Sequence, residues 1–140
     1  MDWNEALPLL RDNHTGIAIS VSPQGRAQST VVSTAVLDGK VGFASRGHKV
    51  KVKHIQRTGQ ATITVIKLDT RRYVSVEGPA AIEPWQDSPA HVKRLKDLYT
   101  AMGRALKGSD DEFAKQMRSE EHNIVLVTPE RVYGSLRSGH

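Results

Sequence analysis

The sequence contains no cysteine. This absence excludes disulfide bonds, thiolate metal sites and cysteine nucleophiles together. Long apolar runs are missing as well, and none approaches the roughly 20 residues that a membrane-spanning helix needs. The chain starts MDWNE, with acidic side chains where a secretory signal would have Lys or Arg ahead of an apolar stretch. These absences predict a cytoplasmic protein without a membrane span.

Acidic residues are absent from one long stretch in the middle of the chain. Between Gly39 and Leu68 there are seven Lys or Arg residues and no Asp or Glu. The rest of the chain has 13 basic and 15 acidic residues, so this stretch holds the whole positive excess of a chain whose net charge is +5. A positive excess confined to one segment indicates a local anion site rather than a generally basic surface.

Aromatic residues are scarce, at 5% of the chain, and none lies within Ser45–Lys53, the most basic segment. Proteins that bind single-stranded nucleic acid usually stack its bases on aromatic side chains, so we predict no nucleic-acid partner. The six histidines are scattered, without a pair at metal-ligand spacing. No serine elbow or close carboxylate pair of a hydrolase is visible either. The sequence therefore predicts neither a metal site nor a hydrolase.

The hydrophobic pattern is mainly that of β-strands. Alternating and β-branched runs predict strands at Thr15–Val21, Ala27–Leu37, Lys40–Ser45, Gln60–Ile66, Arg71–Ile82, Asn123–Thr128 and Arg131–Leu136. Ser22–Gly25 has the composition of a type I turn, and Asp38-Gly39 that of a tight hairpin. Helices are inserted between hairpins and do not alternate with strands. The pattern predicts one domain over residues 1–140, an antiparallel β-barrel of about seven strands with peripheral helices.

Four segments are predicted to be helical. Asp2 begins a short helix that Pro8 bends or interrupts. A second helix covers 47–57 and packs on the sheet, with Val50, His54 and Ile55 at helical spacing. Ser88-Pro89 begins a third helix, which Gly108 can end, and Ser109–Glu112 begins a fourth through a capping box. The apolar stripe of the third helix is Val92, Leu95, Tyr99, Met102 and Leu106.

The segment Ser45–Lys53 leaves a strand, passes through a glycine and enters a helix. A helix N-terminus presents free N–H groups and a positive dipole end, which makes it suited to phosphate. Here the cations are Arg46, Lys49, Lys51 and Lys53, with the Ser45 hydroxyl as a further donor. Each charge-assisted hydrogen bond to phosphate contributes about 1.5–3 kcal/mol. The alternative is a solvated basic helix face, which the lack of compensating acids disfavours.

Several segments in order carry a family resemblance: GIAISVSPQGRAQSTVV, an Asp-Gly hairpin, FASRGHKVKVKHIQRTGQATITV, YVSVEGPAAI and RVYGSL. Together they resemble the pyridoxamine 5'-phosphate oxidase-like split β-barrel superfamily. Within it, they are most similar to the subgroup that uses the deazaflavin F420, the type B flavin/deazaflavin oxidoreductases. The resemblance covers about Thr15 to Leu136, and it implies a split barrel that binds its coenzyme as a homodimer.

The resemblance also implies roles for individual residues. Lys49 and Lys51, with Ser45 and Arg46 just ahead, match the positions at the phosphate end of the coenzyme. Gln28 and Thr30 match the stretch that borders the flavin or deazaflavin ring. Tyr73 lies on the strand that the second subunit contributes to the pocket.

The activity that the resemblance implies is hydride transfer between reduced F420 and an unsaturated or oxidised small molecule. An FMN-binding oxidoreductase of the same superfamily and a non-catalytic F420-binding protein are the alternatives. The substrate stays open, and so does the proton donor, for which water and the hydroxyls of Thr30 and Tyr73 are candidates.

Overall fold

Eight strands form a curled antiparallel sheet in the computed structural model, which describes residues 1–46, 49–104 and 108–137. The strands are β1 (Thr15–Val21), β2 (Ala27–Ser33), β3 (Ala35–Leu37), β4 (Lys40–Ser45), β5 (Gln60–Lys67), β6 (Arg72–Glu83), β7 (Asn123–Val127) and β8 (Arg131–Ser135). Their order is β2-β1-β5-β6-β7-β4-β3, and β8 pairs with β6. The predicted antiparallel, mainly β barrel architecture is confirmed.

The curl of the sheet is tied to one residue, Thr34. The prediction of a single strand over Ala27–Leu37 is wrong, because Thr34 separates β2 from β3. These two strands lie at opposite ends of the strand order although one residue separates them in sequence. The sheet must therefore curl until its two edges approach each other. Thr34 leaves both ladders, and its amide donates to the His14 carbonyl at 2.8 Å.

The longest strand, β6, connects the two halves of the curled sheet. Its first part pairs with β5, and its last four residues, from Ala80 to Glu83, pair with β7. Gly78 lies just before this change of partner, where a Cβ atom would overlap the carbonyl oxygen of Thr128. Glycine is thus required by the close approach of two backbones at the junction.

Four helices flank the sheet: α1 (Trp3–Asp12), α2 (Val50–Thr58), α3 (Pro89–Ala101) and α4 (Asp110–Glu120). Pro8 lies inside α1 without interrupting it, so of the two predicted effects, a bend or an interruption, the interruption is wrong. Its ring removes only the hydrogen bond to the carbonyl of Asn4, an exposed residue that water can reach. No helix in the described ranges is long and apolar enough to cross a membrane.

Two helix details differ from the sequence prediction. In α2 the buried side chains are Val52 and Ile55, while Val50 is 51% exposed. His54 lies at the edge of this contact, where its ring pairs with the Ser20 hydroxyl of β1 at 3.3 Å. The third helix, α3, ends at Ala101 rather than at Gly108, because the chain turns away at Gly103 with φ 75°. Leu106 and the first two residues predicted for α2 lie outside the described residues.

Two apolar cores result from this arrangement. One fills the inside of the curled sheet, where α1 inserts Ala6, Leu9 and Leu10. The other lies outside, where α3 and α4 cover β3, β4 and β7. The end of β4 and the start of α2 thus emerge at a junction of sheet and helices.

Candidate functional site

A cleft of about 250 Å³ opens at this junction. The ends of β2 and β4, the start of α2, the end of α3 and the residue before β7 all border it. Its polar lining is Ser33, Ser45, Arg46, Lys49, Lys51, Tyr99, Arg104 and His122. None of the described residues that line it is a carboxylate, so the cleft presents cations and hydroxyl groups to a ligand.

Helix α2 begins at this cleft without a side-chain cap. Its N-cap residue is Lys49, which makes no capping hydrogen bond, and the first turn has no acidic residue. In α1, α3 and α4 the caps are Asp2, Ser88 and Ser109, and each accepts a hydrogen bond from a backbone amide. The amides of Val50 and Lys51 have no partner among the described residues, so they are available to an external anion, which the positive end of the helix dipole would favour.

Four of the predicted site residues meet in the cleft: Ser45, Arg46, Lys49 and Lys51. Ser45 is buried, and its hydroxyl donates to the Arg46 carbonyl at 3.4 Å. Lys51 is half-buried, and burial, reinforced by the nearby Lys49 charge, lowers its pKa. A lowered lysine pKa shows that the ammonium lacks a counter-charge here, and a bound anion would provide one.

The other four predicted residues lie outside the cleft. Lys53 is exposed on α2, one turn beyond Lys49. Gln28 and Thr30 pair with Ser20 and Ala18 across the β1–β2 ladder, on the face of β2 opposite to Val31. Tyr73 lies at the start of β6, opposite Ser135 of β8. Their assignment to the coenzyme stays a prediction.

Three cleft residues were not among the predicted site residues: Tyr99, Arg104 and His122. The Arg104 guanidinium lies 5.8 Å from the centre of the Tyr99 ring and donates to the Ser33 hydroxyl at 2.6 Å. Burial is the main cause that raises the pKa of Tyr99, so its phenol keeps its proton. The apolar spacing of α3 indicated only that Tyr99 packs against the sheet. No local signal marked Arg104 or His122.

A larger cavity lies elsewhere, and several of its charges are already paired. A groove of about 350 Å³ lies between α3 and α4. Lys96 there pairs with Asp110, and Arg118 with Asp87 at 3.0 Å. Charges that neutralise each other leave little attraction for an external ion. The described residues also contain no group of three His, Asp or Glu side chains placed to hold a metal ion.

The family model of pyridoxamine 5'-phosphate oxidase matches residues 3–135. The chain belongs to this family. The curled barrel is the flavin-binding fold of this family, whose members are generally oxidoreductases. No curated protein matches the sequence.

Solved structures share the fold at low sequence identity. A conserved hypothetical protein of Mycobacterium tuberculosis superposes with a TM-score of 0.74 at 20% identity, over 96% of this chain and 84% of that one. A protein described as an F420 reductase gives 0.67 at 21% identity, over 90% and 94%. A pyridoxamine 5'-phosphate oxidase-related, FMN-binding protein of Nostoc punctiforme gives 0.63 at 16% identity, over 92% and 79%. At these identities the similarity establishes the fold of the oxidase family.

Proposed function

We propose that the chain is a cytoplasmic, single-domain F420-dependent oxidoreductase that transfers a hydride between reduced F420 and an unsaturated or oxidised small molecule. The observation that carries this proposal is the uncapped start of α2, surrounded by Ser45, Arg46, Lys49 and Lys51. The bound coenzyme supplies the hydride chemistry, while the protein holds, orients and shields the reacting groups.

The donor set of the cleft fits a phosphate group. The helix offers free amides, Arg46 offers a planar fork, and Lys49 and Lys51 offer two ammonium groups. Such a set neutralises a phosphate of charge about −1.5 to −2 without any carboxylate in the lining. Two structural relatives, one described as an F420 reductase and the other as an FMN-binding protein, support a coenzyme of this kind.

The choice of F420 over FMN is supported by a second row of cations. Lys49, Lys53 and Arg57 follow each other at four-residue intervals, so they lie on one face of α2. At a rise of about 1.5 Å per residue, they extend about 12 Å away from the cleft. F420 has a polyglutamate tail beyond its phosphate, which FMN lacks. The row of cations gives this tail a place to bind.

A homodimer is supported by the outer face of the sheet. Ile17 is paired with Val31 and Thr64, and Ile19 with Ser29 and Thr62, so these side chains share one face. Val31 on this face is 72% exposed and also lines the cleft. An exposed apolar face of this kind marks an interface, and a symmetric partner on it would complete the mouth of the cleft. Tyr73 lies on the same face, two residues from Ser75.

Replacing Val31 by lysine is expected to convert the proposed dimer to a monomer, because each subunit would bury a charge in the interface. Sedimentation velocity at micromolar concentration measures this change. Leu68→Lys is the matched control, since Leu68 is 75% exposed in the β5–β6 turn and away from this face. A wild-type monomer that binds coenzyme would contradict the dimer proposal.

Coenzyme affinity should fall with rising pH because of Lys51. Its pKa lies below the ordinary lysine value of 10.5, so the ammonium is lost between the lowered pKa and 10.5 as the pH rises. An arginine at this position stays charged throughout this range. We expect Lys51→Arg to keep its affinity at alkaline pH where the wild type loses it, as measured by fluorescence titration of F420. Parallel pH profiles would show that Lys51 does not contact the anion.

A turnover assay distinguishes an F420-dependent enzyme from a non-catalytic F420-binding protein and from an FMN-dependent oxidoreductase. Reduced F420 is mixed with the protein and a panel of quinones and enones, and the return of the oxidised coenzyme's absorbance is followed. Oxidation that depends on the protein and on one acceptor supports the proposed activity. Tight binding without oxidation by any acceptor would favour a non-catalytic F420-binding protein, and turnover with FMN alone would favour the FMN-dependent oxidoreductase.

A further inference from the structure

One carboxylate lies just behind the cationic cleft, that of Glu120 at the end of α4. One of its oxygens is 3.5 Å from Nη2 of Arg46, and the other is 3.1 Å from Nε2 of His122. The Glu120 side chain is 26% exposed, and that of His122 is 9% exposed. Arg46 and His122 both line the cleft, so Glu120 bridges two residues of the candidate site from outside its lining.

Arg46 is distinct among the cleft cations in this respect. Among the described residues, Lys49 and Lys51 form no ion pair, and Arg104 donates to the Ser33 hydroxyl. Glu120 therefore neutralises one cation that a phosphate would use and leaves the two ammonium groups free. A ligand that takes Arg46 must compete with a carboxylate already in place.

His122 fixes the position of this carboxylate. Burial lowers the pKa of His122, and the Arg46 charge acts in the same direction, while the Glu120 carboxylate opposes it. The lowered pKa favours the neutral ring, whose Nε2 lies 3.1 Å from a Glu120 oxygen. The His122 carbonyl lies 2.9 Å from Nε2 of His91, which holds the backbone of this residue against α3. Glu120 keeps this polar neighbour even when Arg46 leaves it.

We propose that Glu120 is an affinity-determining residue of the site, an internal counter-ion that an incoming anion must displace from Arg46. The inference rests on the proposed phosphate site and adds a cost of entering it. A phosphate ester of charge near −2 makes a stronger charge-assisted contact with a guanidinium than a single carboxylate does, so it can replace Glu120. Because the exchange costs each anion the same Arg46–Glu120 contact, Glu120 lowers the affinity of the site for every anion that uses Arg46.

The test uses inorganic pyrophosphate and acetate as probes, so that it does not depend on any coenzyme. Glu120→Gln removes the competing charge and should tighten pyrophosphate binding about fivefold by calorimetry, the upper range for a solvent-accessible ion pair. Acetate should gain no more than pyrophosphate, because both anions compete with the same carboxylate for Arg46. Asp111→Asn is the control, since it removes the same charge from an exposed position on the same helix.

A double-mutant cycle with Arg46→Gln shows whether Glu120 acts through Arg46. If it does, Glu120→Gln has no further effect once Arg46 is replaced. Glu120→Asp, which keeps the charge on a shorter side chain, should give part of the gain and provides a second variant if Glu120→Gln folds poorly.

Equal gains in Glu120→Gln and Asp111→Asn, unchanged affinity, or no anion binding by any variant would overturn the inference. Failure of the proposed function is separate from this outcome. A protein that binds neither F420 nor FMN, but whose pyrophosphate affinity rises in Glu120→Gln, would lose the proposed function and keep the role of Glu120. Coenzyme binding with no effect of Glu120→Gln on pyrophosphate affinity would refute the role of Glu120 and leave the proposed function standing.

Discussion

F420 is expected to bind this protein at least tenfold more tightly than FMN at low ionic strength, a difference of about 1.4 kcal/mol. The phosphate contacts at the start of α2 are common to both coenzymes, so they cannot cause the difference. The cause is the row of Lys49, Lys53 and Arg57, which continues past the cleft. Lys53 is free to meet a tail carboxylate, while Arg57 already donates to the Val21 carbonyl at the far end of the row.

Salt should remove part of this preference. Exposed charges are screened over about 8–10 Å near physiological ionic strength, whereas contacts inside the cleft are screened less. The measurement is a fluorescence titration of both coenzymes at two salt concentrations. The F420 affinity should fall more steeply than the FMN affinity. A preference for FMN at both concentrations would overturn the assignment to the F420 subgroup and leave the fold unaffected.

The second large effect is expected for Lys51→Ala, which should weaken binding of either coenzyme about tenfold or more, the loss of one charge-assisted contact. Lys51 is half-buried in the cleft, its pKa is lowered by burial and by the Lys49 charge, and it forms no ion pair with the residues that the structure describes. Because burial of the Lys51 charge is unfavourable, we do not expect the substitution to lower the stability of the folded protein.

Lys115→Ala is the matched control for this variant. Lys115 is an exposed lysine on α4 and does not line the cleft, so its loss changes the net charge equally without touching the site. Equal losses of affinity in Lys51→Ala and Lys115→Ala would indicate diffuse attraction by the whole protein and no defined phosphate site.

Local signals explain why most of the fold could be predicted. Asp38 and Gly39 have φ of 55° and 71°, as the Asp-Gly hairpin requires, and this turn sets the start of β4 at Lys40. The break at Thr34 had no such signal, because Thr34 is itself β-branched and Val32 and Val36, two residues away on either side, are β-branched as well. What changes at Thr34 is the partner strand, which depends on contacts far apart in sequence. The wrong prediction for the buried face of α2 has the same cause. Val52 is buried and Val50 is exposed because of the way the helix packs on the sheet.

The candidate site also has a part that the sequence predicted and a part that it did not. Ser45, Arg46, Lys49 and Lys51 are close in sequence, so a single strand-to-helix segment was enough to predict that they act together. Tyr99, Arg104 and His122 join them from other elements, and only the curled sheet brings these elements to one place. Glu120 had no sequence signal, because its role depends on its distance from Arg46.

The most direct test of the central claim compares FMN with riboflavin, which has the same ring and no phosphate, alongside F420. Each is titrated into the wild-type protein, and fluorescence gives affinity and stoichiometry. If the start of α2 holds the phosphate, F420 and FMN bind saturably at one per chain, and riboflavin binds at least tenfold more weakly, the loss of about 1.4 kcal/mol or more. Riboflavin binding as tightly as FMN, or no saturable binding of either phosphorylated coenzyme, would contradict the account.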